Sequence, residues 1–281
     1  MTKRRFLMFM VAGLILTVSS CTSTEEGNSE QTDTSAVAMD TVTTAKKENQ
    51  FFNLPSPIEL FTFLYENNIK FQAELMNPVE KSDKYVTTEE KAVALGVYAS
   101  DIAYCAVYGK SDETMNYFVT SKKIADDLGL TEGFDEKIAN RIDKNLHNSD
   151  SLYNISTDSY SMALNFLRSQ GREDLLPLMI FGGWIESVYI ASGSYNEQNF
   201  NPENPIVFQM IDQGYLLENL IDYFNSLDQS NESIKKITEQ LTDLQTVYLA
   251  MQDNVDVDIT KEQFDSIKEK IQNIRNYWTK N

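Results

Sequence analysis

The sequence has very few of the residues that build metal centres, disulfide frameworks or nucleophile–histidine pairs. Its 281 residues include two cysteines and one histidine. Two cysteines make no disulfide framework, and one histidine cannot supply a histidine-rich or zinc site. We find no nucleophile–base pattern, phosphate-binding loop or paired-histidine motif. The sequence therefore predicts no metal and no cofactor, and it gives no support to an enzyme.

Basic residues are also scarce. The chain has 24 Lys and Arg residues against 42 Asp and Glu residues, which gives a formal net charge of −18. A surface of this sign repels the phosphate backbone of nucleic acids. We therefore expect no nucleic-acid partner and interpret the charge mainly as a means of solubility.

Long apolar runs are missing as well. The apolar stretch 6–18 has 13 residues, whereas a membrane-spanning helix needs about 20. It follows three basic residues and precedes Val18-Ser19-Ser20-Cys21, the order of a lipoprotein signal peptide with its lipobox. Small residues let the cleavage site lie extended in a peptidase, and the Cys21 sulfur can carry a diacylglyceryl group. No later stretch is expected to cross a membrane.

This pattern predicts three regions. Residues 1–20 are a lipoprotein signal peptide, residues 21–50 are the lipidated Cys21 with a disordered tether, and residues 51–281 are a helical domain. The N-terminal lipid makes a membrane the first predicted partner. Thr22 after the cysteine favours the outer membrane, and Glu25-Glu26 resembles the acidic export signal of surface-exposed Bacteroidota lipoproteins.

The domain 51–281 is predicted to be all-α, with about eight to nine helices packed as antiparallel hairpins. Thr87-x-x-Glu90 and Thr260-x-x-Gln263 are capping boxes that begin helices. Further helices are expected over 111–128, 134–147, 150–170, 173–192 and 204–227, and residues 70–86 are expected to be irregular. Two apolar seams with heptad-like spacing predict a C-terminal two-helix hairpin over about 231–279.

Two segments carry candidate functional residues. In the first, Tyr98, Asp101 and Tyr104 place a carboxylate on an aromatic, apolar helix face. In the second, two glycines occur within a helix, where each costs about 1 kcal/mol relative to alanine, so close approach of another helix is expected. That segment also carries a carboxylate and two aromatic residues; its candidates are Gly182, Gly183, Trp184, Glu186 and Tyr189.

These residues admit two interpretations. The aromatic side chains could line a pocket in which Asp101 and Glu186 perform acid–base chemistry or bind a sugar. Alternatively, they form a buried network in which tyrosine hydroxyls bond to the carboxylates and the glycines allow helix packing. The second interpretation is favoured because purely structural networks also perturb carboxylates.

Several short motifs resemble a group of helical Bacteroidota lipoproteins that has no assigned activity. The similar residues are Leu54-Pro55-Ser56-Pro57-Ile58-Glu59, Leu75-Met76-Asn77-Pro78, Lys84-Tyr85, Leu95-Gly96-Val97-Tyr98 with Asp101 and Tyr104, Leu128-Gly129-Leu130, and Gly182-Gly183-Trp184-Ile185-Glu186. The resemblance covers most of residues 51–195. It implies an envelope location and a helical fold, and it implies no catalytic residue.

The sequence thus leads to two functional hypotheses. The first is an anchored envelope lipoprotein whose helical domain binds or assembles with an envelope protein or a glycan. The alternative is a hydrolase or carbohydrate-binding protein that uses Asp101 and Glu186 in an aromatic-lined pocket.

The lipobox predicts the chemistry of the mature N-terminus. Cys21→Ala should abolish lipidation and cleavage by the lipoprotein peptidase, because the acceptor sulfur is gone. Mass spectrometry of the mature protein should find an acylated N-terminal Cys21 in the parent. An unmodified terminus at any other residue would contradict the prediction.

Overall fold

The computed structural model describes residues 57–130, 136–195, 200–252 and 259–280. Within these ranges the chain forms nine α-helices and two 3-10 helices and has no strand, so the all-α prediction is confirmed. The α-helices are α1 Pro57–Glu66, α2 Thr88–Val107, α3 Ser111–Asp127, α4 Glu136–Asp143, α5 Ser149–Ser169, α6 Leu175–Gly193, α7 Pro205–Asn225, α8 Glu232–Gln252 and α9 Lys261–Thr279. The predicted signal peptide, Cys21 and tether lie outside the described residues.

Local capping explains where helices begin. Thr87 and Glu90 form the predicted capping box of α2, and Thr260 with Gln263 forms that of α9.

Two expectations from the sequence need correction. The segment predicted to be irregular contains the 3-10 helices Ala73–Leu75 and Val79–Lys84. Helix α4 ends at Asp143, four residues earlier than predicted, and the chain then turns through positive φ at His147.

Helices α2 and α6 approach each other with their backbones in direct contact, and glycine makes this approach possible. A Cβ atom on Gly96 would lie 1.9 Å from the Met179 carbonyl oxygen. One on Gly182 would lie 2.1 Å from the Val93 carbonyl oxygen. The two backbones therefore touch, as the sequence predicted for the glycines of α6. The packing gained between the helices offsets the low helix propensity of glycine.

Helix α6 corrects the expectation that no later stretch could cross a membrane. By length and composition alone, Leu175–Gly193 qualifies as a spanning helix. However, 94% of its apolar window is buried inside the domain. Helices that are apolar on every side occur in the cores of large soluble domains as well as in membranes. Here α6 is the central core helix, surrounded by other helices.

The last two helices form the predicted antiparallel hairpin. Trp278 of α9 donates a hydrogen bond to Gln240 of α8, and Lys270 pairs with Asp243 farther along the hairpin. Residue numbers therefore fall along α8 as those of the paired residues rise along α9, which makes the two helices antiparallel. The described seam residues are at most 6% exposed: Ile234, Ile237, Leu241, Leu244, Tyr248, Phe264, Ile267, Ile271, Ile274 and Trp278. The seams thus form internal core.

Adding a methyl group at the helix crossing should be strongly destabilising. Gly96→Ala and Gly182→Ala each place a Cβ atom inside van der Waals distance of a backbone carbonyl that cannot move independently of its helix. Overpacking costs about 1–3 kcal/mol, and we expect each variant to reach the upper end of that range in urea unfolding.

Gly193→Ala provides the control. Its new Cβ atom would meet only the flexible end of the Leu75 side chain, which can rotate away. This variant should change the unfolding free energy by no more than about 1 kcal/mol, the usual gain from replacing a helical glycine. Equal effects at all three positions would show that the crossing is not tightly packed.

Candidate functional site

The candidate residues lie on the two central helices. Tyr98, Asp101 and Tyr104 are in α2, and Gly182, Gly183, Trp184, Glu186 and Tyr189 are in α6. All are buried except Tyr189, which is half-buried. Asp101 and Glu186 are each 0% exposed and lie close enough for their charges to interact. The structure thus brings the two carboxyl groups together, but inside the core.

Glu186 is paired with an arginine from the C-terminal hairpin. The Nε and Nη2 atoms of Arg275 donate to the two carboxylate oxygens of Glu186 at 2.9 and 2.8 Å. The guanidinium also lies 4.5 Å from the centre of the Tyr189 ring. Burial raises the pKa of Glu186, and Arg275 opposes that shift. A bidentate partner that is always charged favours the ionised form of Glu186.

Asp101 has a different environment. Its Oδ2 accepts one hydrogen bond, from the backbone N–H of Asn77 at 3.3 Å, and its Oδ1 has no hydrogen-bond partner among the described residues. Burial, and then the negative charge of Glu186, hold the pKa of Asp101 well above its usual range, while Arg275 partly opposes them. The fold therefore favours the protonated, neutral form of Asp101.

The aromatic candidates do not converge on these carboxyl groups. The Tyr98 hydroxyl donates to the Pro78 carbonyl at 2.9 Å, and the Tyr104 hydroxyl accepts from the backbone N–H of Gln72. Trp184 donates through Nε1 to Gln213 of α7 at 3.1 Å. Only Tyr189 joins the pair directly, through its contact with Arg275.

This geometry favours a buried network over a solvent-open pocket. An acid–base pair must reach a substrate, and neither Asp101 nor Glu186 is exposed. The network nevertheless differs from the expected one. Among the described residues, no tyrosine hydroxyl forms a hydrogen bond with either carboxyl group. An arginine and a backbone amide take that role. Within the described ranges, no group of three or more His, Cys, Asp or Glu side chains could hold a metal ion.

Sequence reasoning missed Arg275, Asn77 and Tyr85. The Asn77 side chain donates to the Tyr85 hydroxyl at 2.9 Å beside Asp101, and burial raises the Tyr85 pKa to about 12. The position of Arg275 in the sequence could have indicated its role. It lies one helical turn from Ile271 and Trp278 on the apolar seam of α9, a position that a charged residue occupies only with a buried partner.

Comparisons with protein families, with curated proteins and with solved structures found no match to this chain. The resemblance to Bacteroidota lipoproteins, and the envelope location that it implies, therefore stay predictions.

The two carboxyl groups should respond oppositely to neutralisation. Glu186→Gln leaves the buried Arg275 charge without its counterion, and breaking such a pair costs about 3–5 kcal/mol. For a domain of this size, that lowers the melting temperature by roughly 6–20 °C. Asp101→Asn removes a carboxyl group whose ionised form is disfavoured by burial, so at pH 7 the variant should be at least as stable as the parent.

The pH dependence gives a second test. Because the folded pKa of Asp101 is raised, its stabilising contribution is complete below the unfolded pKa of about 3.9 and is lost as pH rises through the folded value. The advantage of Asp101→Asn over the parent should therefore grow with pH from about pH 4. Calorimetry across pH would measure it, with the exposed Glu218→Gln as a matched control. If Glu186→Gln melts like the parent, the proposed ion pair is wrong.

Proposed function

We propose that the protein is a lipid-anchored component of the bacterial cell envelope, held in the outer membrane and facing the cell surface. Its helical domain binds a partner protein through one face of α7. The lipobox at Cys21 supports the anchor and location, and the exposed aromatic residues of α7 support the binding role.

This proposal rests on one observation, the exposure of aromatic residues on the solvent face of α7. At 100° per residue, Phe208, Asp212, Tyr215, Asn219 and Asp222 share one stripe of the helix, and all five are exposed. Phe208 and Tyr215 are 54% and 63% exposed. They lie about 10 Å apart along the axis at 1.5 Å per residue. Aromatic residues are enriched where proteins bind one another.

The charge of this face indicates the kind of partner. Helix α7 carries three acidic residues, Asp212, Glu218 and Asp222, and has neither lysine nor arginine. Acidic groups around an aromatic pair favour a partner surface that is basic at its rim and apolar at its centre. The buried carboxyl groups give no comparable support to the hydrolase or carbohydrate-binding alternative, because no substrate can reach them in this conformation.

Photocrosslinking from within the face tests the proposal. Asn219→p-benzoylphenylalanine in the lipidated protein should crosslink, in its own envelope, to a protein of discrete mass. Phe208→Ala with Tyr215→Ala should reduce that product at least about tenfold, as expected for aromatic anchors of an interface. About 1 M salt should also weaken it, because charge interactions then reach only about 3 Å.

The same probe at Val119 is the matched control, since this residue of α3 is 64% exposed. Equal crosslinking at Val119 and Asn219 would contradict a specific face on α7. A crosslinked product whose added mass is removed by glycosidases would identify a glycan instead of a protein as the partner.

A further inference from the structure

A small cavity lies on the opposite side of α2 from the carboxyl groups. Its volume is about 100 Å³, and sixteen residues from α1 to α6 line it. Fourteen of them are apolar, glycine or proline, and two are serines, Ser156 and Ser159. No charged residue is among the described residues that line it. The Ser159 hydroxyl already donates to the Ile155 carbonyl within its own helix.

The cavity exists because two facing helices present small residues. Ala99, Ala103 and Ala106 of α2 recur at a spacing of three or four residues, which puts them on one helix face. Across from them α5 presents Ser156, Ser159 and Ala163. Protein interiors are otherwise packed with few voids larger than a water molecule, so this space is an exception within the core.

The cavity has a floor of large buried side chains and a rim of small half-buried residues. Large buried side chains such as Phe118, Ile142 and Leu152 belong to the lining. The half-buried lining residues are small, and they mark where the cavity approaches solvent: Pro57, Ala99, Ala103, Ser156 and Ser159. An occupant can therefore enter past small residues and end against large apolar ones.

The lining chemistry selects the occupant. Apolar cavities stay dry and bind apolar molecules; one of about 150 Å³ holds benzene. This cavity, at about 100 Å³, is smaller. In proportion to that benzene site it holds roughly four carbons, which suits the end of an alkyl chain. The chain has a formal net charge of −18 and the cavity offers no cation. A neutral or zwitterionic head group therefore fits the rim better than a carboxylate does.

We propose that this cavity binds the terminal carbons of an alkyl chain that carries an uncharged or zwitterionic head group. The site is separate from the partner face on α7, and it stands whether or not that face binds a protein. The chain could belong to a free amphiphile or to a membrane lipid, which share this chemistry.

Methyl NMR of the full chain, produced without lipidation, tests the proposal. 1-Hexanol represents the free amphiphile, dihexanoylphosphatidylethanolamine represents the lipid, and hexanoate is the anionic comparator. The parent should show saturable shifts of the Ile142 and Ile155 methyl groups with at least one of the first two probes. Hexanoate should bind at least tenfold more weakly. The probe that binds identifies the source of the chain.

Filling the cavity supplies the decisive comparison. Ala103→Leu should weaken binding at least tenfold and leave the melting temperature unchanged or higher. If that variant fails to fold, Ala163→Val fills the same space from α5. Ala73→Leu, at an exposed position, is the control and should bind like the parent. The proposal is overturned if no probe gives saturable shifts, if hexanoate binds as well as hexanol, or if the folded filled variant still binds.

Discussion

The contact between the backbones of α2 and α6 is the constraint on which the other features depend. At Gly96 and Gly182 no room is left for a single methyl group. This approach makes α6 the buried centre of the domain, with α2 pressed along it. It also brings Asp101 and Glu186 into one region, since each lies one to two turns from the crossing on its own helix. The other helices pack around this pair.

Among the described residues, two ionic contacts join the C-terminal hairpin to the central pair: the buried pair of Arg275 with Glu186, and the pair of Lys280, at the end of α9, with Glu90 of α2. Arg275 reaches from α9 to Glu186 and covers Tyr189. Nearby, the Tyr85 hydroxyl lies 3.5 Å from the Thr279 carbonyl at the end of α9. A buried ion pair contributes little net stability compared with well-packed apolar residues, but it is costly to break. We therefore expect the Arg275–Glu186 pair to act mainly on the register of α9 against α6.

The burial of Asp101 and Glu186 indicates that a binding site should be sought elsewhere in the domain. Arg275 satisfies Glu186, whereas Asp101 keeps an oxygen without a partner among the described residues and adds no stability in its ionised form, but both are fully buried, so no substrate reaches them. The features that stability leaves unexplained and that a ligand can reach lie elsewhere. Exposed aromatic residues on α7 and an unfilled apolar cavity beside α2 both cost stability or solubility. They are the features that a binding role would account for.

Much of the fold follows from local sequence signals. Capping boxes at Thr87 and Thr260 and apolar periodicity are short-range patterns, and they located the helices to within a few residues. The paired glycines of α6 also predicted a close helix contact. What the sequence did not predict is long-range. Glu186 and Arg275 are 89 residues apart, and no local pattern specifies which buried charges meet.

Native-state hydrogen exchange tests the central role of the α2–α6 crossing most directly. If this contact organises the domain, the slowest amides should lie in α2 and α6 around Gly96 and Gly182. They should exchange only by global unfolding, with the free energy measured in urea. Amides of the α8–α9 hairpin should open at lower free energy. If the hairpin amides are the slowest, and those at the crossing exchange through local opening, the crossing is not what holds the fold together.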